Sequence, residues 1–388
     1  MMILNKKNIL FLCAYQPEYG GNFIRMLSSL SDILRTEYYC NVYFLFPRQS
    51  KKKWLDELSS DFTVGFIQSS YQNSEKEIYH YLLKWSIDLV HTHFEMYDIP
   101  TAKALKKIPK KIHMVWHLHD YMSLDKTGLK LKALRRFCSN LRFWLHYGYY
   151  GKKAYFIGVS KEVTDFVNHY RKNIFSYPSC DLNENEYIRS SVVLNGIDTS
   201  RISNGNITES LLNKNTFISF SGVAKSKGIH LILKASEYLY KKGYSFKIVL
   251  TKNKSLESLL DEYYKGNLPP WIQLVDQTNN ISSIFSIGSC YISASYKETM
   301  SMAIAEASIY GLPVIQSDIK GTEWNSNRMS TFVFESGNYV DLQKTMEKFI
   351  LMDKKILLKY CKNTQKYNIE LLSMSKWCNQ IIEIYKSL

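Results

Sequence analysis

Two glutamates, Glu298 and Glu306, stand with seven residues between them in the stretch Ser295-Tyr296-Lys297-Glu298-Thr299-Met300-Ser301-Met302-Ala303-Ile304-Ala305-Glu306-Ala307, closed by Gly311-Leu312-Pro313. Thr299 is a good helix N-cap, Gly311 suits a left-handed helix end, and Pro313 blocks continuation. The side chains between are nearly all apolar, which predicts a helix buried almost all round. A carboxylate in its middle, Glu306, is costly there unless something hydrogen-bonds to it. Glu298 lies beside a helix start whose N–H groups attract anions, and a phosphate would suit that place better still. Residue types alone leave a second account open: Glu298 supports the helix dipole, and Glu306 pairs with a nearby lysine.

A second anion-binding element is Gly222-Val223-Ala224-Lys225-Ser226-Lys227-Gly228, between a predicted strand (216–221) and a predicted helix (229–241). Lysines on such a loop reach a phosphate as flexible point charges, helped by backbone N–H groups. Histidines form a third group. His91 and His93 end one predicted strand, and His117 and His119 end another, so the members of each pair share a face. With Glu95 or Asp120 nearby they invite a metal reading. Metal-bound histidines also need supporting hydrogen bonds that sequence does not reveal. No metal is assigned to them; contact with ligand hydroxyls is the preferred reading.

These residues need a scaffold that carries loops at strand ends. Apolar runs at 8–14, 40–47, 63–68, 87–93 and 111–118 read as buried strands, and 22–34 repeats its apolar residues at helical spacing. Strand, a loop with Gly20 and Gly21, then helix opens a βαβ unit whose ligands sit at the strand's carboxyl end. Further strands are expected at 156–160, 192–198, 246–250, 271–275, 290–294 and from 314, and helices at 341–358 and 372–388. The alternation predicts doubly wound parallel sheets, and 388 residues suit two domains. The polar stretch 199–215 is the best linker candidate.

Several of these elements resemble retaining GT-B glycosyltransferases of the family 4 type. The resemblance is carried by the two spaced glutamates followed by Gly-Leu-Pro-Val-Ile, by Lys227-Gly228, by Asn195-Gly196-Ile197-Asp198, by the Val159-Ser160 strand end, by Gly20-Gly21 and by His119-Asp120. It implies two Rossmann-like domains facing a cleft, with an acceptor domain at 1–208, a donor domain at 209–372 and a last helix, 373–388, crossing back to the first. It implies that Glu298 holds the donor sugar and Glu306 the ribose. Lys227, perhaps with Lys225, and the backbone at Ser295, Thr299, Met300, Ser301 and Met302 would receive the diphosphate. Gly222 and Gly21 would allow close approach, and His119 would lie near the reacting sugar. Three positions depart from the pattern: Val223 replaces the family's Arg, Met300-Ser301 replaces Phe-Gly, and Thr251-Lys252-Asn253 replaces Gly-x-Gly. Lys225 cannot reproduce the fork of an Arg.

The net charge of +15 favours an anionic partner. Residues 130–150 combine helically spaced apolar residues with Lys and Arg, and 103–111 adds five lysines, together suggesting contact with an anionic membrane surface. The basic residues match no nucleic-acid motif, so no nucleic acid is expected. The run 8–14 is too short to span a bilayer and reads as a strand rather than a signal peptide. Seven scattered cysteines read as buried thiols of a reducing compartment.

The expectation is a metal-independent hexosyltransferase that takes a nucleotide-sugar donor (UDP- or GDP-linked) as substrate and uses no cofactor. It would act on a glycan or polyprenyl-diphosphate-linked acceptor in bacterial surface-polysaccharide or capsule assembly, cytoplasmic and peripheral on the inner membrane face. No Asp-x-Asp metal motif is present. The alternatives are a non-catalytic GT-B subunit that binds a glycan or partner enzyme, and a nucleotide-sugar epimerase of the same fold.

Overall fold

A computed structural model describes residues 4–49, 51–120, 132–172, 189–202, 205, 207–278 and 280–388. The chain forms two compact units, one of Met1–Gly196 with Met374–Leu388, the other of Ile197–Ser373.

The first unit is built on a seven-stranded sheet with β1 Asn8–Cys13, β2 Asn41–Pro47, β3 Thr63–Ile67, β4 Leu89–His93, β5 His113–Leu118, β6 Tyr155–Gly158 and β7 Ser190–Val192. All its pairings are parallel, in the order β3-β2-β1-β4-β5-β6-β7. Both faces of such a sheet are covered, which is why its strands read as unbroken apolar runs. Ile9, Phe11 and Cys13 pack on one side with the helices Gly21–Thr36 and Met374–Ser387, while Leu10 and Leu12 pack on the other. The last helix buries Trp377, Cys378, Ile381, Ile382 and Tyr385, a helical spacing that presents one stripe to that core.

The second unit holds β8 Thr216–Ser219, β9 Lys247–Thr251, β10 Ile272–Val275, β11 Cys290–Ser293, β12 Val314–Ser317 and β13 Thr331–Phe334, parallel in the order β10-β9-β8-β11-β12-β13. Both sheets are therefore doubly wound, with strand order reversing between β1 and β4 in one and between β8 and β11 in the other. Such switch points are where open α/β sheets place ligands.

Some expected boundaries move. The units divide after Gly196, not after residue 208, because Ile197 bridges to Ser373 and donates to the Leu372 carbonyl at 2.8 Å. The expected helix at 341–358 is two helices, Tyr339–Leu351 and Lys354–Leu371; Asp353 interrupts them and caps the second through Lys355 and Ile356 N–H at 2.8 and 3.1 Å. Of the expected strand 192–198 only its start is strand, at the end of β7. Residues 130 and 131 of the basic segment lie outside the described residues, as do the side chains of 132–136. From Lys132 the segment is an α-helix to Phe143, then a π-helical turn, Trp144–Tyr150.

Candidate functional site

A pocket of about 340 Å³ opens at the β8/β11 switch point. Ser219 and Phe220 reach it from the end of β8, Tyr291, Ser293 and Ser295 from β11 and the loop after it, and Gly222 and Lys227 from the glycine-bounded loop. Glu298, Met300, Ser301, Met302 and Ala303 complete the lining.

The loop is shaped by its two glycines. Gly228 has φ +65°, and a Cβ there would stand 2.0 Å from the Ala294 carbonyl oxygen, so the helix Ile229–Lys241 begins hard against the end of β11. Gly222, φ +46°, lies over the Lys227 side chain. Thus placed, Lys227 Nζ donates to Glu298 Oε1 at 2.6 Å, and Ser295 Oγ donates to the same oxygen at 2.7 Å. Neither contact uses Oε2. The Glu298 side chain is 13% exposed and that of Lys227 37%, so the pair sits at the pocket wall rather than on open surface.

The loop after β11 is held from several sides. Ser317 Oγ donates to the Ser295 carbonyl at 2.6 Å, and Tyr296 N–H to the Ser226 carbonyl at 3.2 Å. Gly321 presses so closely that a Cβ would lie 1.8 Å from the Glu298 carbonyl oxygen. The helix that follows is Met302–Tyr310 with Ser301, not Thr299, at its N-cap, and no side-chain cap bond. The packing of Gly321 on residues 298 and 299 keeps them in a loop and delays the helix. Its first turn contains no acidic residue and faces the pocket through Ser301, Met302 and Ala303. Such a turn carries N–H groups without intrahelical partners and the positive end of the helix dipole. Gly311 ends the helix at φ +103° with bonds to Ala307 and Ser308, as its sequence position implies.

Glu306 lies one turn beyond Met302 and Ala303 on the same helix and is not part of the pocket lining. Burial raises the pKa of the Tyr291 phenol, and the charges of Glu298 and Glu306 both add to that rise. The two carboxylates therefore act on one wall of the pocket. Lys225 points elsewhere: it is exposed and pairs with Glu262 at 2.9 Å. Thr299 is likewise outside the lining. Ser219, Phe220, Tyr291, Ser293 and Ala303 line the pocket unforeseen, although strand-end position is a signal that could have found Ser219, Phe220 and Ser293.

Gly21 and His119 belong to the first unit. Gly21 has φ +55° and opens the helix Gly21–Thr36, next to a loop tied by Tyr15 Oη donating to the Tyr19 and Gly20 carbonyls at 3.0 Å. His119 is partly exposed beyond β5 and stacks edge-on against Phe23. The other three histidines do not reach a ligand surface: His91, His93 and His117 are buried. Their expected contact with ligand hydroxyls is thereby corrected, since strand register turns them into the core behind His119. Burial pushes all four imidazoles down, His91 and His119 to about 3, which leaves them neutral at physiological pH. Close by, Phe94 and Glu95 adopt φ of +66° and +54°. Burial, reinforced by Asp98, raises Glu95 to about 8, against the opposing hydrogen bond from Tyr147 Oη at 3.2 Å.

The two basic segments meet. Lys106 Nζ stands 4.5 Å from the centre of the Tyr149 ring and 5.0 Å from that of Tyr150, and Lys103 lies 5.6 Å over Tyr150. Phe137, Leu141, Leu145 and Tyr149, four residues apart, are all exposed. No helix among the described residues is long and apolar enough to cross a membrane.

Residues 204–370, which include the pocket lining, match the family model described as glycosyl transferases group 1. A capsular polysaccharide biosynthesis glycosyltransferase of Staphylococcus aureus, CapM, is 25% identical over 144 residues, a match spanning 36% of this chain and 38% of that protein. Among solved structures, a glycosyltransferase from Rickettsia africae superposes with a TM-score of 0.74 at 18% identity, covering 99% of this chain and 98% of that one. HepE from Anabaena, solved in complex with UDP and glucose, gives 0.71 at 15% identity over 98% and 99% of the two chains. These structural likenesses establish the fold: two Rossmann-like parallel-sheet domains of the GT-B kind.

Proposed function

We propose that the chain is a retaining glycosyltransferase that moves a sugar from a nucleotide-sugar donor to a glycan or polyprenyl-diphosphate-linked glycan in bacterial surface-polysaccharide assembly. The observation that carries this reading is the convergence of Lys227, Glu298 and the start of the helix Met302–Tyr310 on one pocket at the second switch point. The UDP and glucose bound by HepE, and the capsular role in the name of CapM, support the donor class and the pathway.

In this reading a donor diphosphate takes up the Lys227 cation and the N–H groups around Met300, Ser301 and Met302. Charge that develops on the leaving diphosphate is met by groups already in place. Glu298, still held by Ser295 through Oε1, then accepts a hydroxyl of the donor sugar through Oε2. Glu306 binds the ribose. Gly222 leaves room for the diphosphate, and the leaving phosphate itself takes the acceptor's proton, so donor transfer calls on no separate base or metal. Gly21 and His119 belong to the acceptor side. Lys225, paired with Glu262, is left out.

Turnover of UDP- and GDP-sugars in the presence and absence of acceptor tests the reading; failure to consume any of them would overturn it in favour of a non-catalytic subunit. The exposed Phe137, Leu141, Leu145 and Tyr149, with Lys106 4.5 Å from the centre of the Tyr149 ring, support docking on an anionic membrane. The protein should then sediment with anionic vesicles and be released by salt, and equal binding to neutral vesicles at high salt would refute the electrostatic part.

A further inference from the structure

The first unit contains a cluster that the donor chemistry leaves unused. His91 and His93 lie two apart on β4, and His117 is the register partner of His93 on β5, so all three share one face of the sheet. Their exposures are 0, 1 and 1%. One nitrogen from each lies within 4.8 Å of the others.

The hydrogen bonds around the cluster are arranged from outside. His91 Nδ1 meets the Tyr385 hydroxyl at 2.6 Å, and His93 Nδ1 meets His119 Nε2 at 2.9 Å. His91 Nε2, His93 Nε2 and both nitrogens of His117 are buried and have no hydrogen-bond partner. An unpaired buried polar atom is costly, and four in one place need an explanation. When each Nδ1–H is donated outward, to Tyr385 and to His119, both Nε2 atoms carry buried lone pairs without a partner. His117 in either neutral tautomer adds a third. A water molecule has two protons to offer three lone pairs, whereas a cation takes all three. A ring nitrogen left free to coordinate while the other is pinned by an outer partner is the arrangement of metal-bound histidines.

We propose that His91, His93 and His117 bind a divalent transition-metal ion of the zinc class, with Tyr385 and His119 as the outer partners that fix two of the rings. Three imidazoles suit zinc, cobalt, nickel or copper rather than magnesium or calcium. Two nitrogens on one tetrahedral zinc stand about 3.4 Å apart, so the rings, stacked at 4.3 Å for His91 and His93 and 5.3 Å for His91 and His117, turn out of the stack about their Cβ–Cγ bonds to meet one ion. The ion would tie β4 and β5 to the C-terminal helix through Tyr385, and would orient His119 through His93. It is a site separate from the donor pocket and does not depend on the glycosyltransferase reading.

The test uses the full chain without a histidine tag, stripped with a chelator and titrated with Zn²⁺ and Co²⁺. We expect one ion per chain, with the visible absorption of tetrahedral, nitrogen-ligated cobalt. His117→Gln should abolish that absorption, and the exposed His80→Gln should leave it unchanged. Because a ligand variant can fail to fold, Tyr385→Phe provides the second arm: stoichiometry should hold while affinity falls about tenfold to a hundredfold. Uptake well below one ion per chain, or binding that is the same in His117→Gln and Tyr385→Phe as in the wild type, would overturn the proposal and leave buried water as the occupant.

Discussion

The two sheets reverse their strand order at the same kind of place, and the chain treats the two places in opposite ways. At β8/β11 the strand ends carry small residues, Ser219, Ser293 and Ser295, and a lysine–glutamate pair stands at the wall of an open pocket. At β1/β4 and the neighbouring β5 the same level is filled by imidazoles packed on Phe11, with rings of His91 and His93 only 4.3 Å apart. One switch point has its charges paired but exchangeable, because Lys227 keeps access to solvent. The other has neutral polar groups sealed in the core. Ligand exchange suits the first arrangement and a tightly held ion the second. Topology sets where a site can be; side-chain volume and burial decide what it can admit.

The sharpest way to break this comparison is Lys227→Met. It removes the one pocket cation among the lining residues and leaves Glu298 with Ser295 alone, so transfer should fall by about 10²- to 10³-fold. Thermal stability should change by less than about 1 kcal/mol, since the pair is partly exposed, and metal uptake by the first unit should not change. Kinetics with the best donor, together with a melt, checks all three outcomes.

Next in size is Gly321→Ala. The added methyl must displace the Glu298 backbone, which should destabilise the protein by about 1–3 kcal/mol. The loss of donor affinity should exceed what that instability explains, measured by titration below the melting range. Smallest is Lys225→Met, on the same loop as Lys227 but paired outward. Turnover within about twofold of wild type and stability within about 0.5 kcal/mol are expected. A large loss there would move the diphosphate contact from one lysine to the other.

What the sequence made legible follows range of interaction. The buried helix, its stop at Gly311, the Gly222–Gly228 loop and the doubly wound order all arise from neighbours in the chain or from simple periodicity. The features it concealed are made by distant partners. Thr299 reads as a cap until Gly321 packs on the backbone before it. Lys225 and Lys227 are alike in type and differ only in that Glu262 and Glu298 await them from other elements. The two histidine pairs can be assigned a shared face, yet their closeness depends on the register of β4 with β5. Their outer support depends on Tyr385, which arrives from the far end of the chain.

In the proposed reading the second switch point holds a nucleoside diphosphate, with its ribose on Glu306. Thermal melts of the wild type and of Glu306→Ala with UDP and GDP address it directly. Binding to the folded state alone raises the melting temperature with ligand concentration. At least one of the two nucleotides should stabilise the wild type, and Glu306→Ala should abolish the effect. A wild-type melt unmoved by either nucleotide, or a variant stabilised as much as the wild type, would contradict that reading.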